Sequence, residues 1–296
     1  MDSEGEDSDS SDNSNLVIRR ARVKDSMAIY KLHLKSLGGV DRESSTWFEE
    51  LLRLKSKKIK VLVAEVNGSI VGFTIAYRVR DKAYIDYLAV DPNLRGRGIG
   101  SKLLEIIEDL LAIDKVREVN LSVKEDNYKA LQFYMKHGYL VKGVVLLLAS
   151  PINIIPHSNT DGYTTSLITG SLRDIKHNVM PTTWWSSLTE YVDRQVYKKL
   201  RDVYTLLLYK GNRVKGLAEF SPKKRMIVDY IAVSYHKPAE ALNILIEELK
   251  REAERRGVEE IIIQVDGSKG SIVRALLNIN FKIKDLEFRL YKRLRE

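Results

Sequence analysis

The chain has 296 residues, 44% of them apolar and 30% charged, with no cysteine and a net charge of +9. That length exceeds one comfortable core and divides naturally into two domains, while the missing cysteines exclude disulfides, thiolate metal sites and a cysteine nucleophile. The longest apolar run, "VVLLLAS" after Gly143, falls far short of the roughly 20 residues that span a bilayer, and no signal segment opens the chain, so a soluble cytoplasmic protein with no membrane partner is expected.

The opening "MDSEGEDSDSSDNSN" is almost free of apolar residues and reads as a disordered acidic tail over 1–15. Its six acids leave a body of +15, which favours anionic partners and keeps nucleic acid open, although no motif points to it. Next, "KVLVAEV" and "SIVGFTIAYRV" flank the turn at Asn67–Ser69 and predict a hairpin. "AYIDYLAV" (Ala83–Val90) predicts a further strand. The glycine-rich run "RGRGIGSK" (Arg95–Lys102) follows, and Leu103, Leu104, Ile107, Leu110 and Leu111 then recur at helical spacing. "EVNLSV" predicts another strand, followed by a helix from about Asn127 to Lys136 that Gly138 stops. "YLVKGVVLLLA" closes the region as one strand or a pair. Pro151, Pro156 and the polar residues of "ASPINIIPHSNTDG" place a linker over 151–161, between domains at 16–150 and 162–296.

The second half repeats the first. "YTLLLYKGNRVKG" (Tyr204–Gly216) renews the hairpin, "DYIAV" (Asp229–Val233) answers "DYLAV" (Asp86–Val90) at an offset of 143, and Phe281 answers Tyr139 at 142. This is an internal duplication. The glycine loop is its main departure, becoming "HKPAEALNI" in the second copy.

A P-loop needs Gly-Lys-Ser/Thr, whereas Gly100-Ser101-Lys102 reverses that order. In a dinucleotide-binding turn the glycines follow the strand at once, but here "DPNL" intervenes. RxxGxG at the head of a helix, with Arg95, Gly98 and Gly100, suits a pyrophosphate cradle: backbone N–H groups converge, the helix dipole favours negative charge, and glycines admit close approach.

This loop, together with "EDNYKALQFYMKHGY", resembles the GCN5-related N-acetyltransferase (GNAT) family. Its acetyl-coenzyme A motif is RxxGxG/A, and its later NxxAxxFYxxxGF/Y is matched by Asn127, Ala130, Phe133, Tyr134, Gly138 and Tyr139. The resemblance covers residues 16–148 well and the rest as a degenerate copy. It implies an α/β (α+β) fold of two tandem domains, each a mixed, mostly antiparallel twisted sheet flanked by helices. It also implies transfer of acetyl from acetyl-coenzyme A, as cosubstrate, to a primary amine, with a protein N-terminus or lysine slightly preferred over a small-molecule amine. Main-chain groups of Leu88, Ala89 and Val90 would pair with the pantetheine arm. The N–H groups of Arg95, Gly96, Arg97, Gly98, Ile99, Gly100 and Ser101 would hold the pyrophosphate, and Asn127 would bond to the cofactor. Tyr134 would stand near the sulfur as general acid. Tyr84 and Asp86 are the candidate bases. Related N-terminal acetyltransferases pair the tyrosine matching Tyr84 with a histidine, where this chain has Ser122.

In the second copy Arg95, Gly98 and Gly100 become Pro238, Ala241 and Asn243, while Asn127, Tyr134 and Gly138 become Lys269, Leu276 and Asn280. One active site and one pseudo-catalytic copy are expected. None of His33, His137, His157, His177 and His236 has a partner at metal-ligand spacing, so no metal is expected. "TTWWSSL" (Thr182–Leu188) could line a substrate groove, but two tryptophans opening a helix are more often its buried face, and that is the expectation. The alternative function is non-catalytic: an acetyl-coenzyme A sensor or a nucleic-acid-associated protein on the same fold.

Overall fold

The computed structural model describes residues 15–36, 43–170, 179–197, 199–200 and 203–294. The expected acidic tail falls almost wholly outside them, as does His177. By packing, the described residues up to Arg78 form one compact unit with Ile85–Val116, and Val79–Tyr84 form the other with the described residues of 117–294.

The first unit carries strands β1 (Leu16–Arg20), β2 (Ile59–Val66), β3 (Ser69–Val79) and most of β4 (Lys82–Val90), in that order across the sheet. Asn67 and Gly68 both take positive φ, at 49° and 77°, the combination that closes a tight two-residue hairpin between β2 and β3. Helices α1 (Ser26–Ser36), α2 (Ser45–Arg53) and α3 (Ile99–Ile113) bury their apolar stripes with the sheet. Ser44 starts α2 by accepting a hydrogen bond from the Trp47 N–H at 3.2 Å. The core joins Ile29, Trp47, Phe48, Phe73, Leu103 and Ile107, all at most 2% exposed.

The second unit contains β5 (Glu118–Lys124), α4 (Tyr128–Lys136), β6 (Leu140–Pro151), β7 (Thr164–Thr169), β8 (Val179–Pro181) and α5 (Ser186–Tyr197). It continues through β9 (Tyr204–Lys210), β10 (Arg213–Pro222), β11 (Met226–Ser234), α6 (Pro238–Arg255), β12 (Glu260–Asp266), α7 (Gly270–Asn278) and β13 (Lys282–Arg293). Its sheet runs β5-β13-β6-β12-β11-β10-β9-β7, with β8 against β11. Most pairs are antiparallel. The parallel ones are the start of β4 with β5 (Lys82–Tyr84 against Glu118–Asn120) and β11 with β12 (Met226–Val228 against Ile261–Ile263), each over three residues.

Strands from the two sequence repeats alternate in this sheet. The closing run of the first repeat is the single strand β6, and it pairs with β12 of the second; the last strand, β13, lies between β5 and β6. The duplication is nonetheless visible in packing detail. A Cβ at Gly72 would meet the Ala89 carbonyl at 3.2 Å and Leu103 at 3.0 Å, and one at Gly216 would meet the Ala232 carbonyl and Leu245, both at 3.4 Å. These contacts are equivalent in the two repeats. Each holds a hairpin strand close against its neighbour and the following helix.

Candidate active site

The glycine loop begins where β4 ends. Gly96 and Gly98 take φ of 83° and 79°, a region that a side chain would strain, and an added Cβ at either would meet no atom within 4 Å. Gly98 is the N-cap of α3 and offers no side chain to its amides; the first helical bond runs from the Lys102 N–H to the Gly98 carbonyl at 3.0 Å. The N–H groups of Ile99, Gly100 and Ser101 therefore project from the positive end of the helix dipole without an internal acceptor. Arg95 turns back into the protein. Its Nε donates to the Val90 carbonyl at 3.2 Å and its Nη2 to the Ser36 carbonyl at 3.0 Å, while Lys35 pairs with Asp91 at 2.7 Å. Arg95 thus braces the loop against α1, and the candidate anion-binding element is the backbone of Gly96–Ser101, exposed over Gly96–Gly98. This geometry fits a pyrophosphate.

Leu88, Ala89 and Val90 occupy the end of β4, where the Val90 carbonyl accepts from Arg95 and from the Ser36 hydroxyl. Asp86, one turn of the pleat earlier, accepts from the Tyr77 hydroxyl at 2.7 Å. Its counterpart Asp229 accepts from the Ser221 hydroxyl at 3.4 Å, so both repeats use this aspartate to hold a hydroxyl from the preceding strand. That shared contact gives Asp86 a structural task.

In the second unit, the Asn127 side-chain oxygen caps α4 by accepting from the Ala130 N–H at 3.2 Å, which leaves its NH2 to a ligand. Tyr134 lies on the same helix, 8% exposed, edge-on to Phe133 at 5.2 Å and to Tyr139 at 5.5 Å. Burial pushes its pKa well above the ordinary phenol value, so the hydroxyl stays protonated at any working pH. Gly138, at φ 84°, ends α4 in a Schellman cap, with the Tyr139 N–H on the Tyr134 carbonyl and the Gly138 N–H on the Met135 carbonyl, both at 3.0 Å. Asn280 at φ 70° builds the same cap after α7. Gly138 is therefore a fold residue, and Asn, the next best left-handed former, replaces it without loss.

The second repeat replaces the glycine loop with helix. α6 begins at Pro238, one turn earlier than α3 does in the matching register, and Glu240 sits in its first turn. That carboxylate accepts from the Tyr163 hydroxyl at 2.8 Å and neutralises the helix end; burial and Glu240 together push the Tyr163 pKa up to about 12. The edge of β11 is also occupied. Strand β8 pairs with Ala232–Ser234, and Thr182 donates its N–H (3.0 Å) and hydroxyl (3.1 Å) to the Ile231 carbonyl while its own carbonyl accepts from the Asp266 N–H at 2.9 Å. A piece of the chain thus bridges β11 and β12 at the residues equivalent to Leu88–Asp91 and Lys124.

Beyond Thr182 the two tryptophans precede α5 and stay half-exposed, in contrast to the buried helix face expected from sequence. Trp184 meets the Tyr84 ring edge-on at 5.3 Å and lies under the Arg289 guanidinium at 4.3 Å. Arg289 stands opposite Ser122 in the β13–β5 ladder. Neither Arg289 nor its neighbour Glu287 was a candidate from sequence; "EFRLYKR" shows only a polar strand at the chain's end. His33 packs between Phe48 and Tyr87 at 5.2 and 5.3 Å as a core residue. Among the described residues no three His, Asp or Glu converge on a metal position, and no helix is long and apolar enough to cross a membrane.

Residues 27–139 match the acetyltransferase (GNAT) family. An acetyltransferase of Yersinia pestis (strain Pestoides F) and one of Yersinia pseudotuberculosis are each 35% identical over 86 residues, 29% of this chain. The match spans 61% of the length of these curated relatives. Among solved structures, a tandem GNAT protein from the clavulanic acid biosynthesis pathway superposes with a TM-score of 0.73 at 14% identity, covering 94% of this chain and 98% of its own. A GCN5-related N-acetyltransferase from Sphaerobacter thermophilus gives 0.65 at 17% identity, covering 96% and 97%. The family match lies in the first repeat, over residues 27–139, and the likeness of fold to tandem GNAT proteins runs through both repeats.

Proposed function

We propose that the protein is an acetyl-coenzyme A-dependent N-acetyltransferase with one working site per chain, acting on a primary amine. The observation that carries this reading is the contrast between the N-terminus of α3, framed by glycines with no acid in its first turn, and that of α6, which starts at Pro238 with Glu240 in its first turn. Bound acetyl-coenzyme A would supply an activated acetyl group as a thioester. The amides of Gly96–Ser101 would hold its pyrophosphate, the end of β4 its pantetheine arm, and the Asn127 amide a cofactor carbonyl. Tyr134 would face the departing sulfur. A thiol ionises near pH 8.5 and a phenol near 10, and burial widens that gap, so Tyr134 stabilises the thiolate chiefly by donating a hydrogen bond.

The second repeat keeps the fold and lacks these groups, and β8 with Thr182 lies where a second pantetheine arm would pair. Release of free thiol from acetyl-coenzyme A in the presence of peptides, amino acids, polyamines and aminoglycosides tests the reading. Turnover with one acceptor class is expected. Tight binding of acetyl-coenzyme A with no turnover on any amine would replace transfer by sensing.

A further inference from the structure

One polar face of the second unit carries groups that the proposed cofactor contacts leave unused. It is built where β5 and β13 run side by side under Trp184. Arg289 is half-buried there; its Nη2 donates to the Asn120 side chain at 3.1 Å, and its buried Nε has no partner. Burial lowers its pKa, and Asp266 and Glu118 act on it only through space, without reaching ion-pair distance. A desolvated guanidinium stacked on an indole, with donors left over, is suited to a carboxylate brought by a ligand. Opposite Arg289 in the β13–β6 ladder stands Gly143, where an added Cβ would meet nothing within 4 Å. The space beside the guanidinium is open.

Two residues earlier on the same face of β13, about 6.6 Å along the strand, is Glu287. It is paired in register with Lys124 of β5, whose ammonium is engaged by Asp285 at 2.8 Å, and with Val145 of β6. The charged groups around Glu287 are thus Lys124 from β5 and Asp285 and Arg289 from its own strand; β6 contributes none. Burial raises the Glu287 pKa, Asp285 adds to the rise, and Lys124 opposes it. Ser122 is the position where related N-terminal acetyltransferases place a histidine.

We propose that this face is the acceptor subsite, built for an amine that also carries a carboxylate, an acceptor of the amino-acid class: Arg289 binds the carboxylate and Glu287 receives the ammonium. The inference rests on the acetyltransferase reading above and narrows it. Glu287 takes one proton from the ammonium. The nitrogen lone pair then forms the C–N bond as the C–S bond breaks with its electron pair on sulfur, and the second nitrogen proton neutralises the thiolate. Tyr84 and Trp184 wall the subsite with aromatic surface.

The test compares free amino acids and β-alanine with the corresponding amides, which keep the amine and lose the carboxylate. Wild type should favour the acids by about 10²-fold in kcat/KM, and R289Q should bring that ratio close to 1. E287Q should lower kcat by at least about tenfold and remove the acidic limb of the pH profile. Calorimetric binding of acetyl-coenzyme A to both variants reports that they are folded. Turnover on amides, peptides or polyamines with no preference for the free acids, or an acid-to-amide ratio that survives R289Q, would overturn the subsite and leave the transferase standing. No turnover on any amine would overturn both.

Discussion

Helices α3 and α6 occupy matching positions in the two repeats and begin differently. α3 follows the left-handed Gly98 and has no acid in its first turn; α6 follows Lys237, also left-handed, and starts one turn earlier at Pro238 with Glu240 in its first turn. Strands β4 and β11 diverge in the same way, since β11 alone has a protein strand on Ala232–Ser234. Under the proposed reading, the second copy would differ by more than side chains: an acid stands in the first helical turn, the loop becomes helical, and the strand edge is paired with the chain's own backbone. What survives in both copies is what folds them: the close hairpin contact, the aspartate that holds a hydroxyl, and the Schellman cap after the last helix of each repeat.

The sharpest way to break this comparison is at the Tyr134 and Leu276 pair. Tyr134→Phe keeps the packing and removes the donor, so kcat should fall by about 10²- to 10³-fold with the KM for acetyl-coenzyme A little changed. Leu276→Ala, at a fully buried position, should cost about 2–5 kcal/mol in denaturant melts while leaving turnover per folded molecule intact. Equal kinetic effects at the two positions would end the argument for one working copy.

At the helix ends, Gly98→Val forces a side chain into φ 79° and should weaken acetyl-coenzyme A binding at least about tenfold, whereas Ala241→Gly should lower stability by about 1 kcal/mol and leave binding unchanged. Calorimetry should find one acetyl-coenzyme A per chain; two equivalent sites would show that β8 yields to the ligand.

A smaller effect separates function from stability at Glu287. Its pKa is raised in the folded protein, so its contribution to stability is fully present below the ordinary carboxylate range and is lost as pH rises through the raised value. E287Q should therefore match wild type in thermal stability near pH 4 and exceed it progressively toward pH 8. A melting difference independent of pH would show that the carboxyl is not held against its ionisation. The smallest change is expected at Thr182→Val, which removes one buried hydroxyl donor to the Ile231 carbonyl and should cost about 1 kcal/mol.

Much of the site was legible before any coordinates. RxxGxG needs glycine where φ is positive, Asn127 and Gly138 bracket a short helix by capping rules, and the amphipathic spacing of Leu103, Leu104 and Ile107 fixes which side of α3 is buried. Each of these is local, set by residues within a turn or two of one another. The reading of the tryptophans failed for the complementary reason. Thr182 and Thr183 are the buried residues of "TTWW", because Thr182 bridges two strands, and Trp184 is turned toward Tyr84 and Arg289, each about 100 residues away in the chain.

The sequence by itself determined the duplication, the hairpins, and the glycine loop with its replacement in the second copy. Only the tertiary structure decided that β13 lies between β5 and β6, that β8 covers the edge of β11, and that Glu287 and Arg289 stand beside Ser122. The period of two in a strand says which residues share a face and nothing about the strand that will lie alongside. Neighbours across a sheet are chosen by burial and backbone pairing over the whole fold, and that choice brings the last strand of the chain to the first repeat's fifth.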